Sequence, residues 1–351
     1  MGSRSDTVWV ESRAKELGFD LCGVVSAEKF PELEHTEEWL ARGFAGEMKY
    51  LSDPRRRTAD GAFPGIRSVI VCALNYNTNL PRSTDVPHLP RDDEPRGWIS
   101  RYAWGDDYHR VLRARLEALA GKLTGIENFS WRACVDTAPL LERSLAAQAG
   151  LGWIGRNTCL INQQLGSWFF LGELLTTLDL EPDSPPPDRC GTCTRCIEAC
   201  PTEAIVPSPD GRFELDARLC ISYFTIELRN SIPDRYRPAV GLNVFGCDIC
   251  QDVCPWNRRA SLAADSAFGP RQFAPSLDRL AALSESEFRE MFRGTPIPRA
   301  KYRGFLRNVA VAMGNAGLEK FRSPLDNLAR SEDPLVAEHA LWALTRIDAL
   351  R

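Results

Sequence analysis

The chain has 351 residues, of which 44% are hydrophobic, so it can hold two or three domains of ordinary globular composition. Its formal charge of −4 argues against a general nucleic-acid coat protein but leaves room for a local basic surface. No charged and apolar leader opens the chain, and the apolar runs 68–74 and 167–175 are too short to span a bilayer. We therefore expect a cytoplasmic protein without a membrane segment, and nothing in the sequence argues against a monomer.

Residues 1–180 combine the patterns of strands and helices. Short apolar or β-branched runs predict buried strands at 21–25, 69–74 and 132–135. Residues 108–123 place four leucines and a valine on one helical face. Residues 139–149 predict a second helix, with proline near its start and glycine after its end. The mixture predicts an α/β domain at residues 1–180.

Two residues of this segment have the chemistry of a site. Asp136 lies between a predicted strand and a predicted helix, and the sequence alone favours a helix N-cap there. The alternative is a buried general acid at the end of a strand. Residues 107–112 begin like the D-x-H-x-x-G motif of some cobalt-ligating cobalamin proteins, but Leu112 replaces the glycine. The pattern therefore does not favour a cobalt bond to His109.

Eight of the twelve cysteines follow a proline-rich linker at 181–188. Cys190, Cys193, Cys196 and Cys200, followed by Pro201, form the C-x2-C-x2-C-x3-C-P run that is typical of bacterial ferredoxins. In two-cluster ferredoxins the fourth cysteine of this run ligates the neighbouring [4Fe–4S] cluster. The run therefore predicts electron transfer and a second cluster nearby.

The second group, Cys247, Cys250 and Cys254, lacks a fourth member because Val244 occupies its place. Cys220 is the candidate that completes it. The crossing rule then assigns Cys190, Cys193, Cys196 and Cys254 to one cluster, and Cys200, Cys220, Cys247 and Cys250 to the other. Zinc is the alternative for paired C-x2-C runs, but the first run fits a cluster better. The remaining cysteines lie among apolar residues and are predicted to be core residues: Cys22, Cys72, Cys134 and Cys159.

The carboxyl-terminal part is helical by pattern, and its segments from residue 305 resemble paired HEAT-repeat helices. We therefore predict an α+β protein with three domains: an α/β domain (1–180), a ferredoxin-like two-cluster domain (181–260) and a helical HEAT-like region (261–351). A basic cluster covers Arg299, Lys301, Arg303 and Arg307. It is a candidate RNA contact, with a solvated surface as the alternative.

The clusters leave two classes of function open. A ferredoxin-type carrier needs only the cluster segment, so the 180 residues ahead of it favour an enzyme with its own acceptor site. No G-x-G-x-x-G fingerprint for a dinucleotide is present.

Several stretches together resemble the epoxyqueuosine reductases, over most of residues 40–345. They are 43–51, 100–109, 135–143, 152–158, 166–173, 220–227, 254–257 and both cysteine groups. The resemblance implies two [4Fe–4S] clusters beside a cobalamin that has no protein histidine on cobalt. It implies reduction of epoxyqueuosine to queuosine at the wobble position of a tRNA with a GUN anticodon, with electrons from an external ferredoxin- or flavodoxin-like donor.

The resemblance also implies roles for individual residues. Asp136 matches the proton donor, which reverses the preference for a cap. Arg143 is a candidate to hold substrate or balance charge, with a surface helix residue as the alternative. The basic cluster at 299–307 would hold tRNA. The candidate cofactor contacts are Arg57, Arg101, Tyr102, His109, Asp136, Asn157, Ser167 and Ser222.

Two departures from the family pattern are visible. Arg156 stands where lysine is usual, and residues 55–60 align poorly, which puts the contact at Arg57 in doubt. A cobalamin-dependent reductive dehalogenase is the alternative enzyme, but such enzymes usually carry a twin-arginine export leader, and the arginine run here is internal.

Overall fold

The computed structural model describes residues 4–27, 32–57, 59–85, 95–123 and 129–350. The strands are β1 Leu21–Ser26, β2 Ser68–Asn75, β3 Trp98–Ile99, β4 Trp131–Cys134, β5 Trp153–Ile154, β6 Leu160–Ile161, β7 Phe169–Thr176, β8 Ile205–Pro207, β9 Phe213–Leu215 and β10 Asn243–Phe245. The helices are α1 Arg4–Glu16, α2 Glu32–Ala41, α3 Ala59–Ala62, α4 Tyr108–Leu123, α5 Glu142–Gln148, α6 Arg195–Glu198, α7 Arg237–Val240, α8 Ile249–Asp252, α9 Leu277–Ala281, α10 Glu285–Met291, α11 Lys301–Ala316, α12 Arg322–Ala329 and α13 Pro334–Ala349. In the described part of the chain, no helix has both the length and the hydrophobicity needed to cross a bilayer.

The first part of the chain is built on a four-stranded sheet of order β1-β2-β7-β4. The three predicted strands and the helix α4 are confirmed, whereas α5 begins at Glu142, three residues after Pro139. Every neighbouring pair in the sheet is antiparallel. The fold class is therefore α+β, and the α/β prediction for residues 1–180 is wrong.

Burial on both faces explains that error. Helices α1 and α4 pack on one face of β2, and α5 packs on the other. All eight residues of β2 are consequently buried. Such a strand shows the continuous apolar run that is more typical of a parallel sheet, so its direction cannot be read from its sequence.

A second core joins distant parts of the chain. Strand β3 pairs in parallel with β10, and both pack against the helices α9 to α13. One continuous set of buried side chains thus includes residues 98–104, 244–245 and 277–347. The predicted boundaries at 180 and 260 do not separate independent hydrophobic cores. Helix α13 packs against α11 and α12, and the HEAT-like character of this region stays a prediction.

Arg307 ties α11 to the cluster-binding segment. Its side chain is buried, with 1% exposed, and its guanidinium donates to the carbonyl oxygens of Leu228 (2.9 Å), Asn230 (2.7 Å) and Phe224. These carbonyls lie within or just after a π-helical turn at Tyr223–Glu227. A buried arginine whose donors are used in this way cannot contact tRNA directly, so that prediction is corrected.

Candidate active site and cluster-binding segment

Asp136 follows β4 and has a φ of 54°, in the left-handed region that few residues other than glycine adopt. The helix α5 begins only at Glu142, and its N-cap position is Leu141. The helix-cap interpretation of Asp136 is therefore wrong. Instead, 44% of the Asp136 side chain is exposed to a cavity of about 700 Å³, called here the Asp136 cavity.

The Asp136 cavity lies between the sheet domain and the second core. Its lining residues are Tyr50, Tyr102, Asp107, Tyr108, His109, Arg113, Val135, Asp136, Thr137, Ile226, Glu227, Thr295, Pro296, Pro298, Arg299 and Lys301. Several polar and aromatic side chains from distant parts of the chain thus converge on one carboxylate. A concave site with convergent polar groups is the expected form of an active site.

The first turn of α4 supplies the partners of Asp136. The Tyr108 hydroxyl donates to Asp136 Oδ2 at 3.1 Å, and His109 Nε2 lies 3.3 Å from the same oxygen. The other ring nitrogen of His109, Nδ1, lies 2.7 Å from Asp107 Oδ1. Arg299 Nη1 lies 3.9 Å from Asp136 Oδ2 and its Nε donates to Glu227 at 2.6 Å. His109 is thus held between two carboxylates.

The electrostatics of this group place a proton on the histidine. Burial alone would lower the pKa of His109, but the hydrogen bonds to Asp107 and Asp136 outweigh it and raise that pKa to about 9. Burial opposes ionisation of Asp136, but the hydrogen bond and charge of His109, together with Arg299 and Tyr108, hold its pKa below the ordinary value. At neutral pH the pair is therefore an imidazolium and a carboxylate that share one proton.

Two further carboxyl groups, those of Glu142 and Glu173, lie close to each other behind the Asp136 loop. Glu142 accepts a hydrogen bond from the backbone N–H of Asp136. The Glu142 carboxyl also lies within hydrogen-bonding reach of Glu173, which is fully buried on β7 opposite Cys134. Neither Glu173 oxygen has a donor among the described residues. Two buried carboxyls at one site cannot both be ionised at little cost, so at least one of them is expected to be protonated.

The pKa values of both carboxyls agree with this arrangement. Burial, followed by the charge of Asp136, raises the pKa of Glu142 to about 8. Burial and the neighbouring Glu142 raise the pKa of Glu173 well above its ordinary range. The pair therefore carries at least one proton at neutral pH.

The eight predicted ligand cysteines form two sets in space. Burial raises the pKa of the Cys196 thiol to about 11, and the neighbouring thiols of Cys254, Cys190 and Cys193 add to this. Burial likewise raises the pKa of Cys247, and the neighbouring thiols of Cys220 and Cys200 add to this. Cys250 lies close to both Cys247 and Cys220. Among the described residues, no group of three or more His, Cys, Asp or Glu side chains is arranged to hold a single metal ion.

Comparison with known proteins shows which family has this architecture. Residues 189–257 match the 4Fe–4S double cluster binding domain, and residues 56–137 match the DUF1730 model of the epoxyqueuosine reductase QueG. The epoxyqueuosine reductase of Xanthomonas campestris pv. campestris is 40% identical, over 96% of this chain and 95% of its own length. The chain belongs to the epoxyqueuosine reductase family.

Solved structures support the same assignment. An epoxyqueuosine reductase with an epoxyqueuosine-modified tRNA-Tyr stem loop has a TM-score of 0.85 at 30% identity, over 97% of this chain and 89% of that one. The Bacillus subtilis epoxyqueuosine reductase, with its catalytic aspartate loop swung out of the active site, has a TM-score of 0.84 at 30% identity, over 97% and 90%. Membership in the epoxyqueuosine reductase family removes the dehalogenase and simple-carrier alternatives.

The candidate cofactor contacts of this epoxyqueuosine reductase family member divide into two groups. Tyr102 and His109 line the Asp136 cavity, and Ser222 is partly exposed beside Cys220. By contrast, three side chains are buried and used internally. Arg101 donates to Thr78, Asn157 to the Cys250 carbonyl and Ser167 to Gln251. Arg101 and Ser167 line neither the Asp136 cavity nor the cavity at Cys190 and Cys254, so their predicted side-chain contacts are corrected. Asn157 also borders the cavity at Cys190 and Cys254, and its cofactor contact stays a prediction. The side chain of Arg57 lies outside the described residues.

The candidate tRNA contacts are also placed differently from one another. Arg299 and Lys301 line the Asp136 cavity. Arg303 is 53% exposed and pairs with Asp333 at 3.2 Å, and the exposed Arg143 donates to the Thr158 carbonyl. Arg299, Lys301, Arg303 and Arg143 thus remain accessible, in contrast to Arg307.

Sequence reasoning missed the carboxyl pair and Tyr108. A signal for Glu173 was present, because it is a charged residue inside the apolar run 167–175. A charged group in a buried strand must be neutralised or paired. Nothing in the sequence identified Glu142 as its partner, because the contact depends on where α5 begins.

Replacing Glu173 by glutamine should flatten the pH dependence of stability. An acid whose folded pKa is raised above its unfolded value, 4.5 for glutamate, lowers the free energy of unfolding as pH rises between the two values. In Glu173→Gln the amide donates to ionised Glu142, so this fall should largely disappear. The Tm of anaerobic holoprotein, measured from pH 5 to pH 8, should therefore decline by several degrees less in the variant.

The exposed Glu117→Gln on α4 is the matched control and should follow the wild-type curve. Parallel curves for wild type and Glu173→Gln would show that the two carboxyls do not share a proton.

Proposed function

We propose that this protein reduces epoxyqueuosine to queuosine at the wobble position of a tRNA with a GUN anticodon. The reaction consumes two electrons and two protons, breaks both C–O bonds of the epoxide and releases the oxygen as water. The observation that carries the proposal is the proton-sharing pair of Asp136 and His109 in an open cavity, in a chain of this family. A general acid is what the departing epoxide oxygen requires.

The residues present fit the cofactors of this reaction. Two [4Fe–4S] clusters would be held by Cys190, Cys193, Cys196 and Cys254, and by Cys200, Cys220, Cys247 and Cys250. Both nitrogens of His109 are engaged by carboxylates, which fits a cobalamin without a histidine on cobalt. The flat side chains of Tyr102 and Tyr50 are available to contact it in the cavity. When bound, the clusters and the cobalamin supply electrons of low potential.

The chain's own residues manage the proton. Asp136 presents Oδ2 to the cavity, and His109 Nε2 holds the proton beside that oxygen. Tyr108 and Glu142 fix the carboxylate and its backbone from two sides. When the first C–O bond of the epoxide breaks, the oxygen takes the proton of this pair through Asp136 and stays on the ring as a hydroxyl group. When the second C–O bond breaks, a second proton, drawn from solvent through the same pair, lets the oxygen leave as water. Arg299 adds positive charge where the oxygen becomes negative.

The tRNA is held by the accessible basic side chains Arg299, Lys301, Arg303 and Arg143. Arg299 and Lys301 lie at the cavity itself, where the wobble nucleotide must enter, and Arg303 follows them along α11. A local basic surface serves this purpose despite the net charge of −4. Because the proposed substrate is tRNA, the proposed site of action is the cytoplasm. We propose further that the protein acts as a monomer and receives its electrons from an external donor.

The test is conversion of an epoxyqueuosine-containing anticodon stem-loop by anaerobic enzyme loaded with both clusters and cobalamin. Mass spectrometry should show that the nucleoside loses one oxygen atom. A stem-loop that already carries queuosine is the control and should keep its mass. Failure of a fully loaded, chemically reduced enzyme to convert the substrate would overturn the proposal.

A further inference from the structure

A second cavity, of about 610 Å³, opens beside the first cluster site. All four cysteines of that set, Cys190, Cys193, Cys196 and Cys254, contribute to its lining. Five arginines surround them: Arg156, Arg189, Arg195, Arg258 and Arg259. We call these five the arginine surface. The described lining contains neither Asp nor Glu, although the chain as a whole has 47 acidic and 43 basic residues.

The arginine surface is assembled from three separate segments. Arg189 precedes the first cysteine run and Arg195 lies within it, whereas Arg258 and Arg259 follow Cys254. Arg156 comes from the turn between β5 and β6 and donates to the Gly191 carbonyl at 2.7 Å. A run of charges along one helix would be an ordinary solvated face. Here the arginines come from distant segments, and the fold brings them together around one opening.

Most of this charge has no ion-pair partner in the described part of the chain, although Arg195 and Arg258 also line a neighbouring pocket that contains Glu198 and Asp252. Within the described residues, Arg189, Arg195, Arg258 and Arg259 are exposed and form no ion pair. Elsewhere, exposed arginines are commonly paired, as Arg55 is with Asp53 at 2.7 Å and Arg212 with Asp210 at 2.6 Å. Like charges that converge without partners repel one another, so such a surface favours an anionic partner.

We propose that the arginine surface docks an acidic, low-potential electron-transfer protein of the ferredoxin class. This inference rests on the proposed function, because it requires a cluster at Cys190, Cys193, Cys196 and Cys254. Each docking event oxidises the donor by one electron and reduces the enzyme by one, and two events supply one turnover. Pro255, Trp256 and Ile161 add apolar surface to the same opening, as expected at the centre of an interface.

Charge explains why the surface is needed. The formal charge is −4, and two oxidised clusters with their thiolates make it about −8, so the whole molecule repels an acidic donor. At about 0.1 M salt the Debye length is about 10 Å, and charges near the contact therefore decide the encounter. The arginine surface places five positive charges at the cluster opening, where they offset the negative charge of the cluster and its thiolates.

A tRNA is the competing anionic partner. The Asp136 cavity, where the wobble nucleotide reacts, shares no lining residue with the arginine surface. It has basic residues of its own in Arg113, Arg299 and Lys301. The observations therefore favour the protein donor at the arginine surface.

The test is the double variant Arg258→Glu/Arg259→Glu, with a plant-type [2Fe–2S] ferredoxin of potential about −400 mV as the probe. In 50 mM salt, the affinity for ferredoxin by calorimetry and the second-order rate of cluster reduction should each fall by about 10-fold or more. Both effects should shrink as salt is raised. Turnover driven by photoreduced deazariboflavin, which is uncharged, and affinity for the stem-loop should stay unchanged.

Arg330→Glu, an exposed reversal on the carboxyl-terminal helices, is the matched control and should leave ferredoxin binding intact. Arg258→Gln/Arg259→Gln should reduce ferredoxin affinity in the same direction but by less. This neutral variant replaces the charge reversal in the test if the reversal disturbs cluster loading. Unchanged ferredoxin binding would overturn the inference, as would weaker stem-loop binding with ferredoxin binding retained. Absence of deazariboflavin-driven turnover in wild type would instead overturn the proposed function.

Discussion

Asp136→Asn is expected to slow conversion of epoxyqueuosine by about 10²- to 10⁴-fold, the usual contribution of a general acid. The amide oxygen can still accept from Tyr108, but the side chain no longer relays a proton. The substitution also removes a negative charge that raises the pKa of His109, so this pKa should fall and His109 should be protonated less completely. Single-turnover conversion of the stem-loop under anaerobic conditions measures the effect.

The cluster absorption spectrum of Asp136→Asn should match that of wild type, because Asp136 contacts neither cysteine set. Asp210→Asn is the matched control, since Asp210 lies in the turn between β8 and β9 and pairs with Arg212. It should retain full activity. Full activity in Asp136→Asn would instead assign the proton to another group in the cavity.

Cys220→Ala is expected to remove one cluster and all turnover. Cys220 is the ligand outside both cysteine runs, and it lies among Cys200, Cys247 and Cys250 in the structure. Without its fourth thiolate one iron of that cubane has no protein ligand and is readily lost, so the iron content should fall from about eight towards about four per chain. Colorimetric iron analysis and the spectrum of the reduced clusters measure this loss.

Cys159→Ala provides an unusually close control. The Cys159 thiol lies within hydrogen-bonding reach of Cys250, yet it belongs to neither predicted set. It should keep about eight irons and its activity. If Cys159→Ala loses iron while Cys220→Ala keeps it, the assignment of the fourth ligand must be exchanged.

How far the sequence predicts the site depends on whether the signal is local. The spacing of the cysteines is a local constraint, and the two sets predicted from it lie together in the structure. The helix α4 was also readable, because its buried leucines recur at helical spacing along the whole element. Asp136 was misread as a cap because five residues separate it from α5, and its left-handed φ has no sequence signature.

Other errors arose where tertiary packing decides. Arg307 belongs to a basic run that resembles an exposed surface in the sequence. In the structure it donates hydrogen bonds to carbonyl oxygens within residues 224–230, which are far away in the chain. Arg101 and Ser167 lie in stretches that match the family, yet they are buried against other segments. A motif identifies which residues are near a site, whereas packing determines which of them face it.

The burial of Arg307 also bears on the order of events during synthesis. The turn at Tyr223–Glu227 begins three residues after Cys220. Phe224 in this turn, and Leu228 and Asn230 just after it, accept hydrogen bonds from a side chain more than 75 positions later. Until α11 has left the ribosome, those carbonyls lack their donor and Cys220 lacks a fixed position. The first cluster needs residues only as far as Cys254, whereas the second must also wait for α11. We therefore expect completion of the second cluster to follow synthesis of α11.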